Sequence, residues 1–240
     1  MSWTGKQRNI LDFTLSSLLR RKGRNAALLA VYAFVVFLLA SVVFLAQSIK
    51  EEAKEVLRET PEIVVQRLVA GRHDLIPESY MERIRGIPGV QSVKARLWGY
   101  YYEPLNGANY TVVADEKYPY GNGTVVIGSG VARHLPPLVG KTMPMRSSDG
   151  SYLFLRIRET LSSGSELVSA DLILLSADDF RRLFRTPPGV GTDLVLSVRN
   201  PREVATVAGK VAEILPDTRP ITRAEVLRTY DAVFDWRGGM

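Results

Sequence analysis

The 240-residue sequence contains no cysteine and only two histidines. Without cysteine the fold can use no disulfide bond, so its stability has to come from core packing. Zinc sites usually combine cysteine and histidine ligands at close spacing, and we expect neither a structural nor a catalytic zinc here. The two histidines have ordinary explanations: His73 as a loop residue in AGRHDLIP, and His134 as a surface residue near a helix end.

The sequence also lacks the patterns that carry catalysis or cofactor binding. Gly140-Lys141-Thr142 looks like the end of a phosphate-binding loop, but that motif needs a glycine at position 135, where this chain has leucine. Gly128-Ser129-Gly130 lacks the third glycine of a dinucleotide site and is typical of a turn. No G-x-S-x-G elbow favours a hydrolase. We therefore predict no catalytic residue, no metal and no cofactor, and we expect this chain not to be an enzyme.

Charge is missing from one long stretch, residues 25–49. Its apolar run, residues 26–49, is interrupted only by Ser41, Gln47 and Ser48. About 20 apolar residues in a helix cross a hydrocarbon core about 30 Å thick, so the run predicts a transmembrane helix. A cleaved signal peptide is the alternative. Its apolar region would be about 7–15 residues long and would end in an A-x-A-like site, which this run lacks.

Most of the net positive charge precedes this run. The formal net charge is +6 and the pI is about 9.6; six Lys and Arg minus one Asp give residues 1–24 a charge of +5. Short basic flanks stay in the cytoplasm and attract anionic lipid headgroups. We therefore predict a membrane protein whose N-terminal residues 1–24 are cytoplasmic and whose large part, residues 50–240, lies outside. We expect no nucleic-acid binding, because the larger part has no basic, aromatic-studded stripe. The membrane-orienting residues are predicted to be Arg20, Arg21, Lys22 and Arg24.

The remainder of the chain predicts a stalk followed by an α+β domain. Residues 50–60 are good helix formers that stop before Pro61, and a further helix is expected to open at Pro77. Residues 193–221 indicate a split α/β lobe, and hairpin signals at residues 106–107 and 148–150 indicate a second, β-rich lobe. The predicted organisation is a cytoplasmic amphipathic segment at 1–24, a transmembrane helix at 25–49, a stalk helix at 50–60, an extracytoplasmic domain at 61–222 and a return stalk helix at 223–240.

Three aromatic residues alternate along the strand predicted at residues 90–103. Trp98, Tyr100 and Tyr102 share one face of that strand, while residues 97, 99 and 101 share the other. One face is expected to be core. Because tyrosine and tryptophan are enriched at interfaces, the face with Trp98, Tyr100 and Tyr102 is a candidate partner contact.

The order of these parts resembles the FtsX-like, MacB-type ABC transporter permease family. The N-terminal stretch LDFTLSSLLRRKGRNAALLAVYAFVVFLLASVVFL is similar to the first helix of such permeases, with its basic RRKGR segment. The outer part resembles the MacB-like periplasmic core domain. Each motif is loose, but their order and spacing together are fairly specific. The stretches that carry the second resemblance are residues 87–93 (IPGVQSV), 125–142 (VVIGSGVARHL…VGKT), 169–184 (SADLILLSADDFRRLF) and 192–226.

The resemblance implies a location in the bacterial inner (plasma) membrane and four membrane helices, with a periplasmic domain between the first and second. It also implies that this domain has a porter-like split βαβ lobe and an inserted β-rich lobe. It also implies a dimer with a second permease copy or homologue, cytoplasmic ABC ATPase subunits, and a periplasmic or outer-membrane partner. Such permeases transmit ATPase-driven motion for export, lipoprotein release or envelope signalling. This chain has one predicted span, so we expect either the N-terminal portion of a permease or a short form that needs a partner for the last three spans.

Two alternatives come from other classes of protein. One is a single-span membrane-anchored sensor or scaffold with an extracytoplasmic domain, and the other is an anchored envelope enzyme. A sensor needs an inner output module, for which 24 inner residues leave no room, and the enzyme lacks a catalytic constellation. The permease hypothesis is therefore favoured.

Overall fold

The computed structural model describes residues 13–14, 20–58, 60–116, 118, 120–134, 142–161 and 169–234. The chain divides into two compact units, Met1–Ala53 and Lys54–Met240. The predicted amphipathic segment before the membrane helix lies mostly outside the described residues.

The first unit contains most of helix α1, Lys22–Arg58, a helix of 37 residues. Its segment Lys22–Glu52 is long and apolar enough to cross a membrane. The leucine, valine and phenylalanine side chains along this segment are largely exposed, as in a helix whose apolar surface is covered by lipid. The helix continues without a break past the apolar run and ends at Arg58.

The second unit is built on a mixed sheet, which confirms the predicted α+β class. In the described part of this unit, ten strands form one sheet in the order β12-β1-β11-β4-β5-β9-β6-β8-β7, with β2 paired to β1. Strands β3 and β10 form a separate two-stranded sheet. The strands are β1 Ile63–Val69, β2 Arg72–Asp74, β3 Ile76–Pro77, β4 Val90–Glu103, β5 Ala108–Ala114, β6 Thr124–Gly128, β7 Thr142–Arg146, β8 Tyr152–Leu161, β9 Leu172–Leu175, β10 Val190–Gly191, β11 Asp193–Val198 and β12 Thr218–Thr222.

Short helices connect these strands, and polar side chains cap several of them. Ser176 accepts a hydrogen bond from the Asp179 amide at 3.2 Å, and Thr222 accepts one from the Glu225 amide at 3.1 Å. Such caps satisfy amides that the helix itself leaves free. The helices are α2 Tyr80–Arg85, α3 Ser129–His134, α4 Ala177–Phe184, α5 Val204–Ile214 and α6 Arg223–Phe234, with a 3₁₀ turn at Pro201–Glu203.

Two hydrophobic cores divide the second unit into two lobes. The first lobe packs α2 and α5 against β1, β11 and the first half of β4, and Ile63, Leu194 and Val211 are fully buried there. The second, β-rich lobe packs α4 against β5 to β9 and the second half of β4, with Ile173 and Leu155 fully buried. The two predicted lobes are therefore present as two separate cores.

Strand β4 belongs to both lobes. Its first half pairs antiparallel with β11 as far as the pair Arg96↔Asp193, and its second half pairs with β5 starting at Leu97↔Ala114. The lobes therefore share one continuous sheet, with their junction near the middle of β4.

The sheet of the β-rich lobe curls on itself. Strands β4 and β7 are at opposite ends of this part of the sheet, yet the Tyr101 hydroxyl accepts a hydrogen bond from the Arg146 amide at 2.8 Å. The Ser147 hydroxyl, next along the chain, donates to the Leu183 carbonyl in α4 at 2.9 Å. These contacts close the lobe around its apolar interior.

Two local predictions are wrong. His73 lies in strand β2, because a turn at Ala70-Gly71 with positive φ at both residues folds β2 onto β1. Pro77 lies in β3 against β10, so the helix begins three residues later, at Tyr80. Strand β6 ends at Gly128, where a Cβ would lie 1.8 Å from the Ser169 carbonyl oxygen, so glycine permits close approach of two backbones there.

Candidate functional site

The first and last strands of the second unit lie side by side. Strand β1 pairs antiparallel with β12, with Ile63 opposite Thr222. The Arg223 amide then donates to the Glu62 carbonyl at 2.9 Å. Helix α1 ends at Arg58 and α6 begins at Arg223. The chain therefore leaves the sheet next to the point where it enters it.

The Arg223 side chain reinforces this junction. Its guanidinium donates to the Thr60 carbonyl and lies 3.8 Å from the Glu62 carboxylate. Its Nε is buried without a hydrogen-bond partner, so the side chain is enclosed at this place. The first turn of α6 is thus fixed to residues 60–62 by backbone pairing and by one arginine.

The predicted membrane-orienting residues lie at the beginning of α1 and are all exposed. They carry four positive charges within five positions, at the edge of the apolar segment. Their effect on orientation remains a prediction. These residues are Arg20, Arg21, Lys22 and Arg24.

A buried carboxylate holds the lobe junction on the face of β4 opposite the helices. Asp193 is 1% exposed and accepts two hydrogen bonds from the Arg96 guanidinium, at 2.8 and 2.7 Å. It accepts a third from the Trp98 indole at 2.9 Å. Paired, hydrogen-bonded geometry of this kind is what a buried charge requires.

Thr192 and His73 extend this network. The Thr192 hydroxyl accepts from the Trp98 amide at 3.0 Å and donates to the Trp98 carbonyl at 2.8 Å. The Thr192 amide donates to the Arg96 carbonyl at 2.7 Å. The His73 ring nitrogen lies 3.0 Å from the Thr192 carbonyl, and its ring is 6.4 Å from that of Trp98. His73 therefore has a structural role.

The aromatic residues of β4 divide between the two faces as alternation predicts. Leu97 and Tyr101 are core residues, whereas Tyr100 and Tyr102 are 70% and 57% exposed. Trp98 is only half-buried, but its indole N–H is used by Asp193, and its ring meets that of Tyr100 edge-on at 5.7 Å. The role of Trp98, Tyr100 and Tyr102 as a partner contact remains a prediction.

The described residues show no group of three or more His, Cys, Asp or Glu side chains that could hold a metal ion. His134 is exposed and contacts the Gly130 carbonyl at 2.7 Å, which fits its predicted surface role. Gly140 and Lys141 of the partial phosphate-loop pattern lie outside the described residues.

A cluster of Arg67, Tyr80 and Asp217 joins parts of the first lobe and lowers the pKa of Asp217. The Arg67 guanidinium donates to Asp217 at 2.9 Å, and the Tyr80 hydroxyl donates to the same carboxylate oxygen at 2.9 Å. The hydrogen bond from Arg67, with a further one from Tyr80, lowers the pKa of Asp217. The cluster ties β1 and α2 to the turn before β12.

No protein-family model and no curated protein matches the sequence. Solved structures do show similarity. One is the extracellular domain of YknZ, a noncanonic ABC-type transporter from Gram-positive bacteria, at 14% identity and a TM-score of 0.43, covering 67% of this chain and 99% of that one. Another is the periplasmic region of MacB from Actinobacillus actinomycetemcomitans, at 9% identity and a TM-score of 0.46, covering 70% and 92%.

Proposed function

We propose that this chain is a permease subunit of an ABC transporter of the MacB/FtsX/LolC type, or the N-terminal portion of one. In this proposal it transmits ATPase-driven motion to a periplasmic domain for export, lipoprotein release or envelope signalling. The ordered sequence motifs support this function. The observation that carries it is the junction at which α6 starts beside the residues that follow α1.

This junction matters because of what an inserted domain requires. A domain between two membrane helices must receive the chain and return it at one place, and pairing β1 with β12 achieves this. A domain at the end of a single anchor has no such requirement. In addition, the side chain of Arg223 binds the carbonyl of Thr60, so α6 is attached at the point where α1 has just ended.

The proposed relay follows from this connection. Helix α1 runs unbroken from the apolar segment to Arg58, so displacement of the helix would reach residues 60–62 directly. These residues lead into β1, which is hydrogen-bonded to β11 and β12. ATP hydrolysis would be performed by separate cytoplasmic ATPase subunits, and a second permease copy or homologue would complete the dimer.

Orientation can be tested with single cysteines, because the native sequence has none. Leu105, in the β4–β5 hairpin, is 91% exposed, and Phe13, before the four orienting residues, is 77% exposed. In spheroplasts, we expect a membrane-impermeant maleimide to label Leu105→Cys at once and Phe13→Cys only after permeabilisation. Labelling in the opposite order would contradict the proposed topology.

The transporter role is tested by purifying the tagged full chain from its own host in nanodiscs. We expect an ATPase subunit with a complete phosphate-binding loop to co-purify, and its ATP hydrolysis rate to change when the chain is present. An unrelated single-span protein with the same tag serves as the control. If no such ATPase binds above this control, the permease proposal fails and the sensor or scaffold hypothesis gains support.

We propose that the exposed aromatic face formed by Tyr100 and Tyr102 contacts a periplasmic partner, and that Trp98 supports this face. Tyr100 and Tyr102 present large rings that neither core uses, whereas Trp98 is bound to Asp193. This assigns the two tyrosines to partner recognition and Trp98 to holding the strand in position.

A further inference from the structure

A cleft of about 290 Å³ lies at the lobe junction, on the helix side of β4. Its walls come from α2 of the first lobe and α4 of the β-rich lobe. Its floor is the middle of β4 with the end of β5. It is separate from the aromatic face and from the Arg223 junction.

Small side chains create the cleft. Ala95 and Ala114 lie on the floor and Ala177 on the α4 wall, beside the larger Met81 and Leu97. Longer apolar side chains at these alanine positions would fill the space. The floor they leave is apolar and is bordered by charged side chains, so it suits a hydrocarbon chain or a single aromatic ring that carries a charged group.

Fixed contacts hold the α4 wall in place. The Arg181 guanidinium donates to the Glu78 carboxylate at 3.1 Å and to the Val190 carbonyl at 3.2 Å. Glu78 precedes α2, and its amide donates to the Gly189 carbonyl at 2.9 Å. These bonds connect the two lobes across the cleft, so the cleft is preformed.

One cation at the cleft is held only weakly. Arg181 is paired across the cleft with Glu78, and Lys94 is paired with Glu116 at 2.8 Å. The third lining cation, Arg85, forms an ion pair with Glu82 on its own helix, where both side chains are exposed and such a pair contributes little. A carboxylate in the cleft can therefore replace Glu82 as the partner of Arg85 at small cost.

We propose that this cleft binds a small monocarboxylate with an apolar tail or ring. The apolar part would rest on the alanine floor, and the carboxylate would meet Arg85, whose planar guanidinium suits carboxylate geometry. The volume has room for about ten water-sized groups and lies near the lower end for ligand pockets, about 300 Å³. The inference does not depend on the transporter role.

The methionines provide a direct test, using the full chain in nanodiscs labelled with ¹³C at the methionine methyl groups. Met81 lines the cleft, whereas Met143 and Met145 are buried in the β-rich core. Titration with 3-phenylpropionate should shift the Met81 signal saturably and leave the signals of Met143 and Met145 in place. The cation 3-phenylpropylammonium should bind at least about tenfold more weakly, the equivalent of one unfavourable charge contact.

Two variants and one control decide the location. Ala114→Leu should abolish the Met81 shift by filling the floor. Arg85→Gln should weaken binding about fivefold through loss of the charge-assisted hydrogen bond. Arg202→Gln removes the same charge from the exposed turn before α5 and should change nothing. Unchanged Met143 and Met145 signals verify folding of each variant. Equal binding of the cation, or full binding by Arg85→Gln, would overturn the proposal.

Discussion

Replacing Asp193 with alanine should destabilise the second unit more than any comparable change of charge at its surface. The carboxylate is 1% exposed and accepts three hydrogen bonds, two from Arg96 and one from Trp98. Hydrogen bonds to charged groups contribute roughly 1.5–3 kcal/mol each, but their contributions within one network are not additive. Breaking a buried ion pair costs about 3–5 kcal/mol. Because Arg96 is partly exposed and can regain water, we expect a loss of about 3 kcal/mol.

The loss is measurable as a shift of the unfolding midpoint of the full chain in nanodiscs, followed by circular dichroism. For a domain of about 150–250 residues, 1 kcal/mol corresponds to roughly 2–4 °C, so Asp193→Ala should lower Tm by about 6–12 °C. Asp193→Asn should lie between this and wild type, because its amide oxygen still accepts a bond while its NH₂ group faces donors.

Glu116→Ala is the matched control. Glu116 is paired with Lys94 at 2.8 Å, but both side chains are more than half exposed, and such pairs contribute at most about 1 kcal/mol. Its Tm should therefore fall by no more than about 4 °C. If Asp193→Ala shifts the midpoint no further than Glu116→Ala, the buried network does not stabilise the lobe junction and the reasoning is refuted.

Two further predictions concern backbone space and pH. Gly128→Ala should lower the free energy of unfolding by at least about 2 kcal/mol, because its Cβ would overlap the Ser169 carbonyl. Gly209→Ala, in open space within α5, should raise it by up to about 1 kcal/mol. Equal denaturation midpoints for the two variants would contradict both predictions. The lowered pKa of Asp217 means that its contribution is present above the unfolded pKa, about 3.9, and is lost as the pH falls through the lower folded value. Asp217→Asn should therefore reduce the acid-induced fall in Tm below about pH 4. If Tm of the variant falls with acid as steeply as that of the wild type, Asp217 does not contribute in this way.

The sequence predicts local elements well where a pattern repeats over many residues. Strand β4 occupies the predicted residues 90–103, and its alternation correctly separates the core side chains of Leu97 and Tyr101 from Tyr100 and Tyr102. The long uncharged run became one continuous helix. In these segments the period of the side chains and the local backbone preference agree, so no tertiary contact is needed to decide between them.

Local patterns could not reveal the connections between lobes. Asp193 is the first residue of the apolar strand β11, and its partners Arg96 and Trp98 are 97 and 95 positions away. His73 was expected in a loop, because a three-residue strand is too short to show alternation. The GSG pattern does not show why Gly128 must be small, since a carbonyl 41 residues later in the chain determines this need. The Asp193 network and the space at Gly128 depend on neighbours that only the folded topology supplies.

These connections determine how the proposed relay could operate. Bending the two lobes against each other would have to disturb the Asp193 network on one face of β4 and the Glu78–Arg181 pair on the other. These two attachments on opposite faces leave little freedom for a hinge within β4. Motion delivered at residues 60–62 should therefore carry both lobes together, so that Tyr100 and Tyr102 move with the first lobe and the cleft keeps its shape.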